Sequence, residues 1–156
     1  MRRAVGSASV RMSLDPPLDP GAYAFAHRLR TRFAETDAMA VVHHSSYVLY
    51  LEEARVAWLR SLGHHYQSVR DDGVDFAVLE AYVRYRSPLA FDEEVTVHLG
   101  IGKLTRATFQ VGYLLTVDDT ARATAVTVHG CVTADGRAAR MPEWLADFAR
   151  LGDRLS

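Results

Sequence analysis

Residues 47–62 read YVLYLEEARVAWLRSL, and their spacing decides what must surround them. Apolar residues recur at Tyr47, Leu51, Ala54, Trp58 and Leu62, with Val48, Arg55 and Leu59 flanking the stripe. Positions three and four apart share one face of an α-helix, so the stretch predicts a helix with a single apolar side. Ser45 or Ser46 would cap its first turn, and Gly63 stands where a helix end favours a left-handed residue. A helix with one apolar stripe has to lie against something flat.

The flat surface comes from alternating segments on both sides of it. Before the helix, residues 23–34 (YAFAHRLRTRFA) place Phe25, His27, Leu29, Thr31 and Phe33 on one face of a strand. After it, residues 75–86 (DFAVLEAYVRYR) form a strand closed by Ser87-Pro88, and Val95, Val97, Leu99 and Ile101 alternate with Thr96, His98 and Gly100. Residues 107–117 alternate again through Phe109, Val111, Tyr113 and Leu115. Residues 121–133 then run from the Asp118-Asp119 turn to Asp135-Gly136. A short amphipathic helix from Pro142 to about Arg154 ends the chain. The expected fold class is therefore α+β, with the long helix and one face of an antiparallel sheet forming the core. The other face and the edges of the sheet stay uncovered, which predicts dimerisation.

Composition limits what such a domain can do. The 156 residues are 49% hydrophobic and 24% charged, enough for one well-filled core. A net charge of −1 gives no general attraction to nucleic acid or to an anionic membrane. The one cysteine, Cys131, excludes an internal disulfide and suits the reducing cytoplasm. No run approaches the roughly 20 apolar residues of a membrane span. Met1-Arg2-Arg3 looks like the start of a signal peptide, but Gly6, Ser7, Ser9 and Arg11 interrupt the apolar stretch that should follow. Residues 1–21, ending in the breaker-rich DPPLDPG at 15–21, are expected to be a flexible tail, with residues 22–156 as the single domain.

The chemistry concentrates between the first strand and the long helix. Asp37 lies in the polar loop there, and the helix start just beyond it presents unpaired N–H groups with partial positive charge. Such groups stabilise a carbonyl oxygen that becomes an oxyanion, while a nearby carboxylate attacks an activated ester or takes a proton from water. This is the minimum equipment for acyl transfer to water. Taken alone, an Asp beside a helix start is more often a cap or a solvated loop residue.

Residues 36–47 (TDAMAVVHHSSY) and 50–55 (YLEEAR) resemble the signature of 4-hydroxybenzoyl-CoA thioesterase-like proteins. Further similarity follows in order at 82–89 (YVRYRSPL), 91–97 (FDEEVTV), 123–129 (ATAVTVH), Asp135-Gly136-Arg137 and Arg140-Met141-Pro142, so that it spans roughly residues 25–145. The resemblance implies a hotdog fold, in which a curved antiparallel sheet wraps a long central helix. It implies dimers with a continuous sheet, often tetramers, and active sites at the dimer interface. It implies an acyl-CoA substrate and no cofactor. Asp37 takes the position of the catalytic aspartate, and His44 that of the residue whose backbone N–H polarises the thioester carbonyl. Tyr47 matches an aromatic lining the site, and Arg106 falls near basic residues that meet the nucleotide of CoA. Ala40 stands where the family usually has Gly; if that position requires positive φ, Ala is strained there by about 1 kcal/mol or more.

Other chemistries fit less well. The pairs His43-His44 and His64-His65 lack the spacing of a metal site. No G-x-S-x-G elbow accompanies Ser45 or Ser46, and Cys131 and His129 lie in a strand as expected structural residues. Arg55, on the helix stripe, is expected to pair with a carboxylate inside the fold, Glu53 being one candidate. Acyl-carrier-protein thioesters are an alternative substrate, for which Arg84, Arg86, Lys103 and Arg106 would supply a docking patch. A non-catalytic acyl-CoA-binding protein is the alternative from outside enzymology, and a hydratase ranks last.

Overall fold

The computed structural model describes residues 11–150 and Leu155. In chain order the elements are β1 (Phe25–Arg30), α1 (His44–Ser61), α2 (Tyr66–Asp71), β2 (Asp75–Tyr85), β3 (Glu94–Leu104), β4 (Thr108–Val117), β5 (Thr120–Val132) and α3 (Glu143–Arg150). The five strands form one sheet in the order β1-β3-β4-β5-β2, antiparallel at every step. This sheet and α1 make the hotdog arrangement.

α1 begins earlier than its apolar stripe, and His43, not Ser45 or Ser46, is its cap. The His43 Nδ1 accepts from the Ser45 N–H at 3.2 Å. At the other end Gly63 has φ +80°. There Gly63 N–H donates to Arg60 O and His64 N–H to Leu59 O, the paired bonds that close a helix on a left-handed residue. The stripe buries Tyr47, Tyr50, Leu51, Ala54, Trp58 and Leu59. They meet the odd-numbered side chains of β3 and β4, including Val97, Leu99, Val111 and Tyr113. Leu51 is wholly buried, so Leu51→Ala is expected to cost about 2–5 kcal/mol, checked by chemical denaturation.

Two further local readings are corrected, and a third runs past the described residues. β1 stops at Arg30, because the Thr31 hydroxyl donates to Ala90 O at 2.6 Å and accepts from Glu93 N–H at 3.0 Å, turning the chain before Phe33. α2 forms where no element was expected. α3 is described to Arg150, and its expected continuation to Arg154 lies outside the described residues. Elsewhere the turn chemistry holds. Asp118 and Asp119 both take positive φ (48° and 62°), the two-residue hairpin geometry whose twist matches its strands.

Residues 11–21 belong to the stretch expected to be a flexible tail. They are held against the face of the sheet opposite α1. The Gln110 side chain accepts from Ser13 and Leu14 N–H groups and donates to Arg11 O, and Tyr23 O–H donates to Pro17 O. Leu14 seats on Gly102 and Gly112, and Leu155 on Gly100 and Gly112. A Cβ at any of the three glycines would come within 2.8 Å of a leucine carbon. Residues 1–10 lie outside the described residues. No helix among the described residues is long and apolar enough to cross a membrane.

β2 is an edge strand eleven residues long, with a bulge between Val78 and Glu80. Val78, Leu79, Tyr82 and Tyr85 along it are exposed. Its register against β5 and its contacts with α1 set its direction across the molecule. Its Tyr85 end touches the start of α1, where Tyr85 O–H donates to His44 O at 3.3 Å. Its Phe76 end lies beside the later turns of α1, with Phe76 against Phe109.

Candidate active site at the start of the central helix

The loop after β1 returns on itself before entering α1, and a short ladder holds it. His43 N–H donates to Glu35 O at 2.8 Å, Thr36 and Val42 form a bridge, and Asp37 N–H donates to Val41 O at 2.9 Å. Ala40 N–H closes the turn on Asp37 O at 3.0 Å, leaving a three-residue hairpin loop of Ala38, Met39 and Ala40. Such loops end on a left-handed residue, and Ala40 takes it with φ +63°. The position therefore does favour glycine. Ala40→Gly is expected to raise stability by up to about 1 kcal/mol, because the relieved left-handed strain outweighs the added freedom of the unfolded chain. An increase in denaturation midpoint at unchanged slope would show it, and a decrease would refute it.

Asp37 is half-buried at the first position of this turn. Its Oδ1 accepts from Met39 N–H at 2.8 Å, and no other hydrogen bond to the carboxylate occurs among the described residues. His44 is the first residue of α1, so its N–H has no partner within the helix, and none of the described residues accepts from it. Asp37 and the open N–H end of α1 are thus set by rungs of one ladder. The His44 ring is exposed and lies 4.0 Å, centre to centre, from the His43 ring.

A second layer holds the ladder. Glu35 accepts from Arg32 N–H at 2.7 Å, from Tyr50 O–H at 2.8 Å and from the Arg32 guanidinium. Burial would raise the Glu35 pKa, but these donors outweigh it and hold the carboxyl below its ordinary value. Tyr47 is buried between Tyr85 and Tyr50, and its hydroxyl accepts from Leu89 N–H at 3.4 Å. Leu89 O in turn accepts from Val42 N–H at 2.7 Å. Within one chain Tyr47 braces the loop and presents little surface.

Arg106 is elsewhere. It is exposed in the β3–β4 hairpin beside Arg140, at the rim of a hollow of about 360 Å³. The Asp37 loop bridges to Ala90, near the start of β3, whereas Arg106 follows its end. At about 3.4 Å per residue these lie at opposite ends of the sheet. Arg84 and Arg86 sit at the Tyr85 end with Lys103 and Arg106 far away, so the four do not form one patch within a chain.

Arg55 does not pair with Glu53. Glu53 meets His27 at 3.0 Å, while Arg55 donates to the Tyr113 hydroxyl at 3.2 Å. Of the other histidines, His64 stacks on Trp144 at 3.8 Å and His129 on Phe109 at 5.0 Å.

A family model described as "Thioesterase-like superfamily" matches residues 31–148. The chain belongs to the Thioesterase-like superfamily. A crystal structure of a hypothetical protein from Aquifex aeolicus superposes with a TM-score of 0.76 at 41% identity, covering 79% of this chain and 97% of that one. The 1,4-dihydroxy-2-naphthoyl-CoA hydrolase of Synechococcus elongatus is 29% identical over 123 residues, 77% of this chain and 90% of its own. The acyl-CoA thioester hydrolase YbgC of Escherichia coli is 34% identical over 79 residues, 49% of this chain and 58% of its own. The matched superfamily range contains the whole ladder, the helix start and strands β2 to β5, and begins just after β1.

Proposed function

We propose that this superfamily member hydrolyses an acyl-CoA thioester to the free acid and CoA, with Asp37 as nucleophile or general base. The observation that carries the reading is the ladder joining Asp37 to the open N–H end of α1. A carbonyl oxygen received by the His44 N–H would gain negative charge as the thioester carbon is attacked, and the helix start stabilises that charge. The thiolate of CoA leaves readily, so the site needs no strong acid to protonate it. The narrower resemblance to 4-hydroxybenzoyl-CoA thioesterase-like proteins, and the acyl-CoA substrates in the names of the two curated relatives, support the same reading.

The working unit in this proposal is a symmetric dimer joined along the free edge of β2. If β2 pairs antiparallel with its copy about its midpoint, Glu80, then Tyr85 of one chain faces Asp75 of the other. Because Tyr85 touches His44, the partner's Asp37 ladder comes to the Phe76 end of this chain. Arg106 lies at that same end, since Cys131 N–H donates to Ala107 O and Cys131 pairs with Phe76. One chain would then supply the acid and oxyanion site, and the other the basic side chain for the CoA nucleotide. Tyr47 keeps the loop in place behind them. With one free, buried thiol at Cys131, we place the reaction in the cytoplasm.

The test is release of free CoA from aliphatic and aromatic acyl-CoAs by the purified wild-type protein. Turnover of at least one member at an enzymatic rate is expected. Absence of turnover from every member would overturn the reading.

A further inference from the structure

Beneath the later turns of α1 lies a cavity of about 270 Å³, just under the usual lower size of a ligand pocket. Its apolar walls include Trp58, Leu59, Phe76 and Phe109, and its polar side is formed by Arg55 and His129, with Glu52 exposed at the rim. Behind that polar side runs a chain of short contacts. Arg55 donates to the Tyr113 hydroxyl at 3.2 Å, Tyr113 meets Thr127 Oγ1 at 2.8 Å, and Thr127 Oγ1 meets His129 Nε2 at 2.7 Å.

Arginine can only donate, so the Tyr113 hydroxyl is the acceptor at that end. Beyond it, Tyr113, Thr127 and His129 are linked through hydroxyls that can each donate or accept. Burial, reinforced by the charge of Arg55, pushes the His129 pKa down to about 3, so the imidazole is neutral; its Nε2 meets Thr127, and its other nitrogen is Nδ1. That Nδ1 is buried and without a partner, in a side chain only 2% exposed. Arg55 is half-buried and, among the described residues, has no carboxylate within 4.0 Å. The polar side of an otherwise apolar chamber therefore presents a donor-only guanidinium with no ion-pair partner among the described residues, beside a neutral imidazole with one unpartnered nitrogen.

We propose that this cavity receives the acyl group of the substrate, and that Arg55 selects acyl groups carrying an oxygen acceptor, hydroxyl or carboxylate, at their far end. The inference rests on the thioesterase reading and on the partner's Asp37 reaching this end of the chain. A guanidinium facing such an oxygen gains a charge-assisted hydrogen bond that a plain alkyl end cannot offer.

The experiment compares kcat/KM for hexanoyl-CoA, 6-hydroxyhexanoyl-CoA and adipyl-CoA in wild type, Arg55→Met and Arg55→Lys. Wild type is expected to prefer the oxygenated substrates by about tenfold or more. A lead for adipyl-CoA alone identifies ion pairing, and equal gains for both identify hydrogen bonding. Arg55→Met is expected to abolish most of the preference through KM, and Arg55→Lys to retain part of it. The proposal is overturned if wild type handles hexanoyl-CoA as well as the others. It is also overturned if Arg55→Met depresses all three alike, as it would were Arg55 only a brace. If no substrate is turned over, the thioesterase reading fails separately, and free adipate and hexanoate are tested as ligands by thermal shift. Stabilisation by adipate and not by hexanoate, lost in Arg55→Met, would then uphold the oxygen-selective cavity, and no difference would remove it.

Discussion

Asp37→Asn is expected to lower kcat for acyl-CoA hydrolysis by about 10²–10⁴-fold, the range a positioned proton acceptor contributes, and by the upper end of it if Asp37 attacks the thioester itself. Asparagine is the informative replacement because its amide oxygen can still accept from Met39 N–H, the bond that ties the carboxylate into its turn. The ladder and the helix start should survive, so KM and thermal stability are expected to change little. Such a pattern, with kcat lost and binding kept, marks a group acting in the transition state. Retention of more than about a tenth of wild-type kcat would refute the assignment. A single turnover in heavy-oxygen water separates the two roles. Direct attack forms an aspartyl anhydride, which water opens, and opening at the aspartyl carbon leaves label in Asp37. General-base catalysis sends all the label to the released acid.

The helix and the sheet strands were legible because each rests on local rules. The spacing of Tyr47, Leu51, Ala54 and Trp58 needs no partner to imply a buried stripe, and an alternating run such as 107–117 implies a strand wherever it pairs. The positive φ of Ala40 was signalled only by the glycine that the resembled family has there, and the loop of residues 37–41 is what imposes it. What was not legible is what depends on distant pairing. Thr31 ends β1 only because Ala90 and Glu93 come beside it. Residues 11–21 look like a tail by composition. They are fixed by Gln110, about a hundred positions away in sequence, and by glycines that read as ordinary strand residues until Leu14 and Leu155 are seen against them. Arg55 was read with a neighbour on its own helix, whereas its partner is a tyrosine from β4. The cap at His43 was missed for a different reason. Imidazole seldom caps helices, so two serines made the better local guess.

The dimer arrangement makes a second prediction, of restored activity from two inactive variants. Asp37→Asn removes the acid, and Val56→Trp fills the cavity wall beneath α1 with a side chain too large for it. Each homodimer is expected to be nearly inactive. When the two chains are co-expressed in equal amounts, random assembly makes half the dimers mixed. If the acid of one chain serves the cavity of the other, a mixed dimer combines the intact Asp37 of the Val56→Trp chain with the open cavity of the Asp37→Asn chain. It also combines the two defects at its second site. The mixture should then recover about a quarter of wild-type activity. If acid and cavity within one chain formed the site, every site in the mixed dimer would carry one defect, and nothing would be recovered. Ala81→Glu tests the same geometry from the edge. Ala81 is exposed one residue from the midpoint of β2, so two copies would add a diagonal pair of like charges beside the facing Glu80 residues, which Arg11 partly neutralises. The dimer should weaken by about tenfold or more, and activity should fall with the dimer fraction as the protein is diluted. Undiminished activity in a monomeric Ala81→Glu protein would mean that each chain carries a complete site, and the role of the β2 edge would have to be found elsewhere.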